Sequence, residues 1–335
     1  MSTPTSLDLP DGVRRTTIRT ARGVFAALEA VPVTGVCERE GALLVPGYTG
    51  SKEDFLAILD LLADGSRHVA AIDMRGQFES PGAGDPAGYA AAALGADIGA
   101  IMHATGARHL VGHSYGGLIG REAVLAAAGA GIASFTLMSS GPAALTGPRA
   151  AELRGMLEAL GVDDRGAPDG TAVDGTALDG ARLRDGTALD GARLRDGISE
   201  IWRAHLEPQA VAADVPPHIV AFLARRMLGN DPAGLVLMAR HLLTAPDRTA
   251  ELARLEQIPV LVIYGEDDNA WAPAAQENMA RRLGARRLCI PAAVHSPAVE
   301  APATTASALT RFWDAAEAAL TAPARPATVT RTAAW

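Results

Sequence analysis

The chain has 335 residues, enough for one large domain or a domain with a sizeable insertion, and 48% of them are apolar. Only 4% are aromatic, so the core must be built from Ala, Leu, Val and Ile. The net charge is −8, Lys52 is the single lysine, and no cluster of basic residues carries interleaved aromatics, which argues against a nucleic-acid partner.

The opening segment "MSTPTSLDLPDGVRR" has no apolar signal region. No stretch approaches 18 uninterrupted apolar residues, so a cytoplasmic protein without a membrane span is expected. Residues 1–12 and 321–335 are rich in Pro, Thr and Ala and read as disordered ends. "TTIRTARGVFAALEA" (16–30) reads as a hairpin of two strands, and "ALLVPG" (42–47) as a buried strand. In the helix that follows (51–65), Phe55, Ile58, Leu59 and Leu62 share one face. Ser51 and Asp54 form a capping box there, and Gly65 is placed to end the helix. Strand 68–73 and helix 89–106 follow, then strand 109–112, a helix from Tyr115, and strand 134–140. The alternation resumes with strands at 259–265 and 286–292. Continuous apolar strands separated by helices predict a mostly parallel sheet covered on both faces.

Residues 143–250 break this rhythm with helical patterns only, and read as a lid inserted between strands 6 and 7 of the core. The core itself falls into two parts, 13–142 and 251–320. "DGTALDGARLR" occurs at 174–184 and again at 185–195, and a flexible surface segment is expected over 169–197. Cys37 and Cys289 lie in apolar or strand-like contexts and read as two buried, reduced thiols. None of the eight histidines has a metal-ligand partner at a usual spacing, so neither a metal nor a cofactor is expected.

"LVGHSYGGLIG" (110–120) contains Gly-x-Ser-x-Gly. In a chain with 35 glycines that pattern alone is weak, but here a strand runs into Ser114 and a helix runs out. Such a turn pushes the hydroxyl out above the sheet, at a helix N-terminus whose dipole favours developing negative charge. A serine needs a base, and the base needs an orienting carboxylate. "YGEDDNAWAP" (264–273) offers adjacent acids and "PAAVHSPAVEAP" (291–302) offers His295, each past the carboxyl end of a strand. His113 reads as structural, and Asp73 as ordering the Arg75 loop.

Through "VPGYTGSKEDF", "AAIDMRGQFESPG", "GHSYGG", "VLVIYGEDDNAWAP" and "AAVHSPAVEAP" the chain resembles the α/β-hydrolase superfamily, in particular its bacterial serine esterase and lipase-like branch. The likeness covers residues 16–142 and 251–318. It implies the α/β-hydrolase fold, with Ser114 as nucleophile, His295 as base and Asp268 as acid. It also implies an oxyanion hole from the backbone N–H groups of Tyr48 and Tyr115. Three departures stand out: Pro46-Gly47 replaces the family's His-Gly, Gln77-Phe78-Glu79 replaces a glycine-containing stretch, and Pro273 comes five rather than four residues after Asp268. The last leaves the choice between Asp267 and Asp268 open. Gly47, Phe78 and Trp271 are expected in the substrate pocket. The reading that follows is a serine hydrolase acting on a small to medium, fairly apolar carboxylic ester through an acyl-enzyme. The same triad could serve a lyase, an acyltransferase or a cofactor-free perhydrolase, and the same fold a ligand-binding receptor.

Overall fold

The computed structural model describes residues 2–162 and 190–321. An antiparallel hairpin, β1 (Val13–Thr20) and β2 (Gly23–Ala30), leads into β3 (Gly41–Val45), α1 (Leu56–Ala63) and β4 (Val69–Ile72). Then come α2 (Ala91–Thr105), β5 (Ala107–His113), α3 (Tyr115–Ala126) and β6 (Ser134–Met138). Six helices follow: α4 (Gly147–Ala159), α5 (Gly191–Ile201), α6 (Glu207–Ala212), α7 (Pro217–Gly229), α8 (Pro232–Thr244) and α9 (Thr249–Ala253). The core closes with β7 (Val260–Gly265), α10 (Pro273–Leu283), β8 (Arg286–Ile290), α11 (Pro297–Glu300) and α12 (Pro302–Thr321).

The eight strands form one sheet in the order β1-β2-β4-β3-β5-β6-β7-β8, and β3 to β8 run parallel. The two-residue period of a strand sends successive side chains to opposite faces. Leu43, Val45 and Leu110 therefore join the core under α2, α3 and the inserted helices, while Leu44 and Val111 join the core under α1 and α12. With both faces covered, the central strands are buried at every residue except Gly41 and Arg108, which are half-buried at the strand starts.

Four expectations change. Helix α1 ends at Ala63, and the left-handed residue that follows is Ser66 (φ 60°) rather than Gly65. Residues 2–12 are anchored at points rather than loose: Ser2 and Pro4 are buried, Leu7 and Leu9 are half-buried against the core, and Arg226 donates to the Ser2 carbonyl at 2.6 Å. Local composition cannot register a partner 224 positions away. Cys37 and Cys289 are both exposed; Cys289 lies on β8, an edge strand with one neighbour only. The final residues of the duplicated motif, 190–195, begin α5, with Asp190 capping its first turn and Leu194 fully buried, so this part of the expected surface segment is packed helix. The rest of the duplication, 163–189, and residues 322–335 lie outside the described residues.

Candidate active site

The carboxyl ends of β5, β7 and β8 bring the three chemical groups together. Strand β5 runs straight into Ser114, whose backbone is strained (φ 54°, ψ −119°), and α3 starts at the next residue. The turn is possible because a Cβ at Gly112 would collide with the Gly116 carbonyl, and one at Gly116 would lie 2.5 Å from the Pro46 and Val45 carbonyls. Glycine here serves close approach between the elbow and the end of β3.

His295 sits on the loop after β8, and its Nε2 lies 3.0 Å from Ser114 Oγ. Its Nδ1 lies 2.9 Å from Asp268 Oδ1. A carboxylate can only accept, so Nδ1 carries the proton and Nε2 is free to take the serine's. The Asp268 side chain is fully buried, whereas 18% of the His295 side chain is exposed to the cavity side. Asp268 Oδ1 also accepts from Ala270 N–H and Oδ2 from Gln276 Nε2, both at 2.9 Å. Burial by itself raises the carboxyl pKa; the hydrogen bond and charge of His295, with the other donors, outweigh it and hold Asp268 below the usual carboxylate range. Asp267 is exposed, because its N–H is tied to the Ala293 carbonyl at 3.0 Å and this lays the β7 loop across the β8 loop.

Two supports were invisible in the sequence motifs. Gln276, fully buried on α10, bridges Asp268 and the Trp271 carbonyl. Glu300 brackets His295, accepting from the N–H groups of Val294 (2.6 Å) and Ser296 (3.1 Å). His113 donates from Nε2 to the His295 carbonyl at 2.7 Å, and burial depresses its pKa to about 3, so it is a neutral strut for the His295 loop.

The loop after β3 faces the serine. A Cβ on Gly47 would stand 3.1 Å from Ser114 Cβ, so the Gly47–Tyr48 peptide passes close to the hydroxyl. Tyr115 occupies the first position of α3, where an N–H has no partner within the helix. The cavity above Ser114 measures about 560 Å³ and is lined by Gly47, Tyr48, Leu153, Met156, Met227 and Leu242 among others. Ile201, His205, Leu206 and Gln209 reach it from the helical segment containing one π-helical turn, Trp202–Leu206. Ser2 also lines it, with its hydroxyl 2.7 Å from Ser296 Oγ.

Two expected pocket residues lie elsewhere. Trp271 is buried behind His295, its indole donating to the Ala143 carbonyl at 2.9 Å. Phe78 packs edge-on against Phe222 with Lys52 over its ring, and holds a positive φ (38°). Asp73 orders the loop that carries Arg75, accepting from Glu79 N–H at 3.3 Å while also holding the Lys52 ammonium; Arg75 itself pairs with Asp97. Among the described residues, no group of three or more His, Cys, Asp or Glu side chains is arranged to hold a metal ion, and no helix is long and apolar enough to cross a membrane.

A family profile described as the alpha/beta hydrolase fold matches residues 43–302. The chain belongs to that family. Among solved structures, a candidate aryl esterase from Burkholderia cenocepacia is 20% identical, with a TM-score of 0.65, over 91% of this chain and 100% of that one. A hydrolase from Pseudomonas aeruginosa PA01 is 25% identical, with a TM-score of 0.61, over 89% and 98% of the two chains. A 95-residue segment is 40% identical to a protein of Variovorax paradoxus (strain S110) named as a candidate carbamate hydrolase, RutD. That match spans 28% of this chain and 35% of the relative's length.

Proposed function

We propose that the protein is a serine hydrolase that cleaves a small to medium, fairly apolar carboxylic ester through an acyl-enzyme. The observation that carries this reading is the unbroken hydrogen-bond chain from Ser114 Oγ through the His295 ring to the buried carboxylate of Asp268. His295 Nε2 takes the hydroxyl proton as Ser114 attacks the ester carbonyl. Asp268 holds the ring in the required tautomer and stabilises the imidazolium that forms. The tetrahedral oxyanion is received by the N–H groups of Tyr48 and Tyr115, in a preorganised site at the start of α3. The imidazolium then protonates the leaving alcohol, and water attacks the acyl-enzyme by the same relay to free the acid and regenerate Ser114.

The cavity supports the substrate class. Its size is that of an ordinary small-molecule site, and its inner wall offers Leu145, Leu153, Met156, Met227 and Leu242 to an apolar group. The test pairs fluorophosphonate labelling with a panel of p-nitrophenyl esters of graded chain length. Labelling and hydrolysis are expected in the wild type and should vanish together in Ser114→Ala. An aryl carbamate belongs in the same panel, given the segment shared with the candidate carbamate hydrolase. A labelled, active Ser114→Ala protein would refute the assignment.

A further inference from the structure

Residues 77–79 are one of the three departures noted in the sequence, and Gln77 has a place in the structure that the reading above does not use. Its side chain is buried, 1% exposed, and forms no part of the cavity wall. The amide nitrogen donates to the Gly47 carbonyl at 2.8 Å and to the Tyr48 carbonyl at 2.9 Å. The amide oxygen accepts from Met74 N–H at 3.0 Å, within its own loop. Both donors of the amide are thus spent on two successive peptides of the loop after β3, and its oxygen is engaged elsewhere. Gln77 has no donor left for a substrate.

We propose that Gln77 is the positioning residue of the oxyanion site. The Gly47 carbonyl that it holds belongs to the same peptide unit as the Tyr48 N–H. In a trans peptide these two groups point in opposite directions, and the described residues contain no cis bond. Fixing one therefore fixes the other. The Gly47 carbonyl also accepts from Gly50 N–H at 3.1 Å, so both of its lone pairs are occupied and the peptide cannot rotate without losing two hydrogen bonds. The second bond, to the Tyr48 carbonyl, immobilises the next peptide and closes off the remaining freedom of Tyr48. Only an amide of this length combines two donors on one atom with an acceptor for Met74; glutamate and methionine have its shape without those donors.

The two loops do not depend on Gln77 to stay together. Lys52 N–H and Lys52 Nζ both donate to the Asp73 carboxylate at 2.8 Å and tie the loops at their far end. Changing Gln77 should accordingly loosen the aim of the Tyr48 N–H without unfolding the protein. Preorganised donors matter in the transition state, where charge develops, and much less in the ground state. The effect belongs in kcat.

The proposal rests on the serine hydrolase reading, and the experiment separates the two. Wild type, Gln77→Glu and Gln77→Met are compared on p-nitrophenyl butyrate, with a trifluoromethyl ketone that forms a tetrahedral adduct on a nucleophilic serine, and by thermal melting. Both variants should lose about 10- to 100-fold in kcat, less than the loss of a whole oxyanion donor, with KM within about twofold. Affinity for the ketone should fall by the same factor as kcat/KM. In Gln77→Met, which adds no charge, the acid limb of the pH–rate profile should stay in place. A folded variant with unchanged kcat and ketone affinity, or one in which KM alone rises, would overturn the proposal. Should Gln77→Met fail to fold, the nearly isosteric Gln77→Glu carries the same comparison. A wild type that neither hydrolyses the ester nor takes up a fluorophosphonate would instead overturn the underlying reading.

Discussion

Replacing Asp268 by asparagine tests the site at its most constrained point. Oδ1 of Asp268 accepts from His295 and from Ala270 N–H, and Oδ2 accepts from Gln276. An amide can present its oxygen to only one side. If the oxygen stays toward His295, the amide nitrogen faces the Gln276 donor. Gln276 cannot turn to relieve this without setting its own oxygen against the Trp271 carbonyl, to which it now donates at 2.9 Å. If the asparagine flips, its nitrogen opposes Ala270 N–H and favours the His295 tautomer whose Nε2 carries the proton, which is useless as a base toward Ser114. Either arrangement leaves a buried donor conflict worth about 1–3 kcal/mol of stability. The rate cost is larger. A full charge on His295 at 2.9 Å from the carboxylate is stabilised by up to about 6 kcal/mol at an effective dielectric of about 20. That is about four decades in rate, close to the roughly 10⁴-fold loss for the equivalent change in the worked serine-protease case. Steady-state kinetics on a p-nitrophenyl ester, with urea unfolding alongside, should show about 10³- to 10⁴-fold lower kcat and a small loss of stability. Asp267→Asn, on the exposed neighbour, should stay within a few-fold in rate and about 0.5 kcal/mol in stability. An Asp268→Asn enzyme within tenfold of wild type, or the reverse ranking of the two variants, would refute the reasoning.

Arg226→Ala should destabilise the fold by about 3–5 kcal/mol in urea unfolding, because it strands buried Asp54, 2.7 Å away, and the Ser2 carbonyl; a loss under about 1 kcal/mol would refute this. Leu194→Ala, at a fully buried position in the second copy of the repeat, should cost about 2–5 kcal/mol, and a melting temperature equal to wild type would show that the helix is dispensable. His113 is held neutral by burial, down to about 3, against about 6.5 in the unfolded chain. The unfolded state therefore binds the proton first, so this contribution to stability is complete above about pH 6.5 and is lost as the pH falls toward 3. Urea midpoints measured from pH 7 to 4 should fall more steeply for wild type than for His113→Gln, and parallel curves would remove His113 from the account.

The sequence by itself determined the alternation of strand and helix, the inserted helical region and the elbow at Ser114. These depend on short-range regularities: the apolar run of β5, the glycines at 112 and 116, and the helical period that begins at Tyr115. It also put His295 and a pair of acids past the ends of their strands, because each strand's end is marked locally. Which acid meets the histidine was a matter for tertiary structure. Asp268 turns inward because the β7 and β8 loops cross at Asp267 and Ala293, and because Gln276 on α10 waits to receive its second oxygen. The placement of Ser2 at the cavity, of Trp271 behind His295 and of Cys289 on an exposed edge followed the same logic. Each rests on a partner, or the lack of a neighbouring strand, that residue type and local spacing do not encode. Gln77 is the sharpest instance: a glutamine in an irregular loop has no periodicity to read, and its meaning comes from two carbonyls about thirty residues upstream, held within 3 Å.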